Sequence, residues 1–251
     1  MSAHALTDEN ENPRTTPAGI TPTQHTAAKI VGALYLIQMA LAVFGEVFVR
    51  GRLIVPRDAV QTATNIRASE TLFRLGLAGD LLIYTTLIVL IWGLYVILKP
   101  INRDGALLGA FFRIAEQAIL ATTTLTAFLA LRLLSGAEYL RGADPTQLQV
   151  LARVFLSIYG LGLTVGFVFL GLGSAVFSYV WLKSGYIPRG LAWLGIVASL
   201  LLSVMSLVTI VFPRVYEVLG MSYMMPMGLY EVGLGLWLLI KGLKTSVVAR
   251  I

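Results

Sequence analysis

The sequence predicts an all-α membrane protein, a polytopic bundle of about six transmembrane helices with two short interfacial helices. Three observations carry this. Hydrophobic residues make up 57% of the 251-residue chain. Charged residues make up 13%, against roughly 25% in soluble domains, so there is too little polar surface to cover an apolar fold in water. The apolar residues also fall into six long runs, and about 20 residues at 1.5 Å rise each are enough to cross hydrocarbon. The mean hydropathy is +0.81.

The elements follow in order. Residues 1–25 are rich in Thr, Pro, Asn and Glu and read as a disordered tail. They lack the apolar stretch and cleavage site of a signal peptide. The spans are expected at Thr26–Val49, Glu70–Leu98, Gly105–Leu134, Ala152–Lys183, Leu191–Phe212 and Met221–Gly242. Together they make one transmembrane domain over 26–243, followed by a short C-terminal tail, 244–251. Each run is apolar on nearly all sides, unlike a surface helix, and lipid does not tolerate open sheet edges. The connections after spans two and four are tight, Lys99–Asp104 and Ser184–Arg189. Those after spans one and three are longer. Each carries a helix-start signal, Pro56-Arg57-Asp58-Ala59-Val60 in one and Asp144-Pro145 ahead of Thr146–Leu151 in the other. Both are read as short helices at the interface, with ordinary loop helices as the alternative.

Orientation rests on charge. With six spans, all the lysines, Lys29, Lys99, Lys183, Lys241 and Lys244, fall on the side of the termini, in short loops where positive charge marks the cytoplasmic face. The expectation is an N-in, C-in protein of a bacterial cytoplasmic (inner) membrane.

Composition removes several classes of function. The chain has no cysteine, which excludes disulfides, thiolate catalysis and iron–sulfur clusters. Its histidines are His4 and His25, both ahead of the first span, so a histidine-ligated haem or metal inside the bundle is excluded. No metal and no cofactor is expected. The net charge of +6 is spread between apolar runs, where it orients spans and meets anionic lipid, so nucleic acid is not an expected partner. The expected partners are membrane lipids and a small solute or cation. No phosphate loop, dinucleotide glycine fingerprint, nucleophile elbow or HExxH is present.

What remains is a set of charges inside the spans, where each costs about 2.5–3.5 kcal/mol even on the lenient insertion scale. Counted at 1.5 Å per residue from the lysine-bearing face, Arg113 lies at ~12 Å, Gln38 at ~14 Å, Glu231 at ~15 Å and Glu116 at ~16 Å. These four form an expected midplane site. Asp80 lies at ~28 Å and joins Glu46 and Arg74 in an expected far-side cluster. Gln117 and Tyr159 are candidate supports. The charges could simply pair across helices, Arg113 with Glu116 or Glu231 and Glu46 with Arg74, and fix the packing. Yet Glu46, Asp80, Glu116 and Glu231 outnumber Arg74 and Arg113. A carboxylate out of water without a basic partner takes up a proton or holds a cation. The hydroxyls of Thr122, Thr123, Thr124 and Thr126 are expected to bond back to the preceding turn. The pairs Gly105/Gly109 and Gly162/Gly166 are expected at close helix contacts. Tryptophans Trp92, Trp181, Trp193 and Trp237 mostly fall toward span ends, as in an aromatic belt.

The run from Glu46-Val47-Phe48-Val49-Arg50-Gly51-Arg52-Leu53 to Pro56-Arg57-Asp58, with Asn65–Glu70 and Leu72–Gly76, resembles a bacterial six-span membrane family, domain of unknown function 4386. Asp80, Phe112-Arg113-Ile114-Ala115-Glu116 and Ser184–Arg189 extend the likeness over roughly 26–243. The resemblance implies a six-span fold and brings no activity with it. The residues leave three readings open. The first is a transporter or channel-like protein for protons, small cations or a small polar solute. The second is a structural or interaction protein without catalysis. The third is an intramembrane enzyme acting on lipid, with its catalytic residues unknown.

Overall fold

The structure is a computed structural model that describes residues 19–215, 220 and 222–244. Six helices are long and apolar enough to cross a membrane: α1 (Pro22–Leu53), α3 (Glu70–Leu98), α4 (Arg103–Leu134), α5 (Pro145–Ser184), α6 (Arg189–Val211) and α7 (Met225–Ile240, entered through a 3-10 turn, Ser222–Met224). The helix α2 (Ala59–Ala68) lies between the first two spans. No strand occurs among the described residues.

Helix starts follow local chemistry. Thr21 caps α1 in a reciprocal capping box with Gln24, and Pro22 takes the first helical position. The helix therefore begins four residues before the expected Thr26, within the stretch read as tail. Residues 1–18 and 245–251 of the expected tails lie outside the described residues. Asp58 caps α2 by accepting from the Gln61 N–H at 2.8 Å, as the Pro-Arg-Asp signal predicts. Asn102 does the same for α4 through the Gly105 N–H at 2.9 Å. The second short helix is not separate. Asp144 caps a continuous 40-residue α5, and Thr146–Leu151 forms its opening turns. Those turns carry no helix breaker, so the capped start runs on into the apolar span.

The bundle packs through small residues. Helix α4 lies along α5, with Gly109 against the Phe177 ring, Gly162 against Thr123 and Gly166 against Leu120. Both GxxxG pairs therefore serve close contact, as expected. Helices α1 and α7 cross at Gly32 and Gly235, where a Cβ on Gly32 would stand 2.8 Å from the Gly235 carbonyl oxygen. The outward faces carry large apolar side chains, among them Leu75, Phe111, Leu125, Leu161, Val197 and Leu229, each more than half exposed. Water would penalise a surface of this kind, and lipid would not.

Long-range bonds order the two ends. The Gln24 amide donates to the Ile97 carbonyl at the exit of α3, and the Lys244 N–H donates to the Tyr186 carbonyl in the α5–α6 turn. These contacts gather the lysine-bearing segments at one end. At the other, Arg67 of α2 donates to the Leu134 carbonyl, satisfying one acceptor at the end of α4. The core has two parts. The larger fills the lysine end and the middle, including Trp181, which is fully buried rather than in a belt. The smaller, built on Val49, Ile66, Phe73, Leu131 and Tyr159, fills the opposite end under α2. Leu77 on α3 belongs to the smaller cluster and Ile83 to the larger, and Asp80 falls between them.

Candidate functional site

The first span carries the irregularity that builds the site. From Phe44 to Arg50 the helix widens to π geometry, closed by the Gly51 N–H donating to the Glu46 carbonyl. A π turn adds one residue and rotates everything beyond it by about 100° around the axis. The helix then continues to Leu53, so Arg50 belongs to the span and not to the loop after it. Its Nε donates to Glu46 Oε2 at 2.6 Å and its Nη1 to Asp80 Oδ2 at 3.0 Å and Tyr159 Oη at 2.8 Å. Tyr159 Oη in turn donates to Asp80 Oδ2. One guanidinium thus ties α1 to α3 and α5. The Asp80 side chain is 5% exposed and that of Glu46 is 38% exposed.

Arg74, expected in this cluster, is not part of it. It sits in the second turn of α3 and pairs with Glu70 on its own helix at 2.7 Å, both side chains well exposed. Six residues from Asp80 on a regular helix, Arg74 projects from a different face. Arg50 takes the place it was expected to fill. The signal for Arg50 was present in the i, i+4 spacing from Glu46, but the span appeared to stop at Val49.

The residues expected at the midplane do come together. Arg113 and Glu116 pair along α4 at 3.2 Å, both buried, and Arg113 Nη1 lies 3.4 Å from Ser174 Oγ on α5. The Gln38 amide donates to Glu231 Oε2 at 3.3 Å, joining α1 to α7. Among the described residues Glu231 makes no ion pair. Gln117 is buried beside Glu116, and neither atom of its amide has a hydrogen-bond partner. Tyr159 supports the far cluster rather than the midplane. The four threonines of α4 bond back to carbonyls three or four residues earlier, as expected.

A single cavity of about 660 Å³ connects the two levels. Gln38, Arg113, Glu116 and Glu231 line one part of it, and Glu46, Arg50 and Asp80 another. Between them its walls are apolar, with Leu87, Leu120, Leu163, Phe167 and Leu170. Four carboxyl groups and two guanidinium groups thus border one space. The ion pairs Glu46–Arg50 and Arg113–Glu116 run along single helices, and Arg50–Asp80 bridges two spans. Pairs within a helix do not hold a bundle together. Among the described residues, ionic locking between helices therefore accounts for Arg50 and Asp80, whereas Glu116 pairs within its own helix and Glu231 is tied to α1 by an amide alone.

A family model described as Domain of unknown function (DUF4386) matches residues 30–242. No curated protein and no solved structure matches the chain.

Proposed function

The chain belongs to the DUF4386 family, and on that premise we propose that it is a transporter or channel-like protein whose cavity takes a small cation, a proton among them. The observation that carries this reading is the cavity lining. Glu116 and Glu231 border it from α4 and α7, both buried, with Arg113 and Gln38 beside them and apolar wall beyond, and the hydrogen bond to Glu231 comes from an amide instead of a base. A charge out of water is costly enough that its presence asks for a compensating ligand. In this reading Glu116 and Glu231 bind, Gln38 orients Glu231, and Arg113 holds Glu116 in place. Glu46, half-exposed at the opposite part of the cavity, receives the solute. The lysine-bearing end faces the cytoplasm of a bacterium, which leaves Glu46 toward the outer face.

The test is flux in proteoliposomes, with proton movement read by an internal pH dye and cation uptake by tracer. Replacing Glu116 and Glu231 together by Gln should abolish the flux while the protein still folds and reconstitutes. Flux equal to wild type in that variant removes the reading.

A second reading has one observation in its favour. Arg50, Asp80 and Tyr159 join three spans in one hydrogen-bonded cluster, so this part of the polar set acts as a structural tie. The two readings divide the residues between them, with the tie at Asp80 and the binding groups at Glu116 and Glu231.

A further inference from the structure

We propose that the solute is a linear dication, an α,ω-diamine, held with one ammonium between Glu116 and Glu231 and the other at Glu46. The inference rests on the cavity being a cation site and names the class of cation.

The charges are divided between the two parts of the cavity. Arg113, Glu116 and Glu231 sum to a formal charge of −1, and Arg50, Glu46 and Asp80 also sum to −1. Gln38, which holds Glu231, and Glu46 are eight residues apart on α1, about 12 Å along its axis. Apolar wall fills the interval. A compact ion can neutralise one end only. A divalent metal needs several oxygens converging on one point, and among the described residues no three acidic or histidine side chains are grouped that way. A flexible methylene chain with a charge at each end matches both the separated acids and the apolar middle.

Carboxylate oxygens lie at both ends, where the two ammonium groups would need them. Asp80 is occupied by Arg50 and Tyr159, so it is not counted as a binding group. Glu46 gives Oε2 to Arg50, and its side chain remains 38% exposed. Glu116 Oε2 is paired with Arg113 Nη1 at 3.2 Å, outside hydrogen-bond geometry, and among the described residues Glu231 is held by the Gln38 amide alone. An ammonium carries three donors and can engage Glu116 and Glu231 together.

The experiment uses the full chain in lipid nanodiscs and isothermal titration calorimetry. The ligands are putrescine, cadaverine and 1,8-diaminooctane, with 8-aminooctan-1-ol as the control in which one ammonium becomes a hydroxyl. The expected result is that 1,8-diaminooctane binds about tenfold or more tighter than 8-aminooctan-1-ol, and tighter than putrescine, whose chain is too short to reach both ends. Glu46→Gln should erase the diamine's advantage over the amino alcohol. Equal affinity for the diamine and the amino alcohol in wild type overturns the dication and leaves the cation site standing. Binding of neither, with no flux, overturns both. The chain-length series on the wild type decides the matter even if a variant fails to fold.

Discussion

Asp80 is the residue where removal of one atom group should be felt most. It lies between the two core clusters, with its side chain 5% exposed, and it accepts from Arg50 Nη1 at 3.0 and 3.3 Å and from Tyr159 Oη. Asp80→Asn keeps the size and one acceptor oxygen and removes the charge. Arg50 is then left with Glu46 alone, facing a neutral amide in a site largely closed to solvent. Breaking a buried ion pair from one side costs about 3–5 kcal/mol. Arg50 keeps its bond to Glu46, so we expect the lower end, about 3 kcal/mol. The control is Glu70→Gln, which breaks an ion pair of similar length, 2.7 Å, but with both side chains at 39% exposure or more. An exposed i, i+4 pair is worth about 0.3–0.5 kcal/mol. The assay is reversible unfolding in mixed micelles with a denaturing detergent, followed by tryptophan fluorescence. In an Arg50→Gln background, Asp80→Asn should cost much less than in wild type, because the two residues share one interaction. If Asp80→Asn and Glu70→Gln are equally mild, the cluster is not a tie between spans and the division of roles proposed above fails.

Two further outcomes test the packing. Gly32→Val should separate α1 from α7, because even a Cβ would meet the Gly235 carbonyl at 2.8 Å. The expected loss is about 2 kcal/mol or more, read by the same unfolding assay, and with it the Gln38–Glu231 bond and any cation binding. Asn102→Ala removes the cap on α4 and should cost about 1 kcal/mol, seen as faster amide exchange in the first turn of that helix with the far cluster unaffected.

Several features were legible before any tertiary contact was known. Six long apolar runs sufficed for six spans, because the bilayer imposes the same requirement on each segment separately. Helix starts at Asp58 and Asp144 follow from short polar side chains capping their own following N–H groups. The back-bonded threonines of α4 are local for the same reason. Where the reading missed, the missing term was also identifiable. The Thr21–Gln24 box lies in a stretch dominated by tail-like composition, and the Asp144-Pro145 start signal does not itself say that the helix runs on, without a breaker, into the span.

The sequence by itself determined the class of protein, the number of spans, the grouping of lysines and the presence of more acids than bases inside the spans. These depend on composition along one segment and on the thickness of a membrane. Only the tertiary structure decided which charges meet. Arg50 took the place expected of Arg74 as the partner of Glu46, and reached Asp80 as well, because a π turn prolongs α1 and rotates its end, and Glu231 found Gln38 because α1 and α7 cross on glycines. Such pairings depend on the angle of each side chain around its helix and on the neighbour it faces, and neither is written in the hydropathy of a single segment.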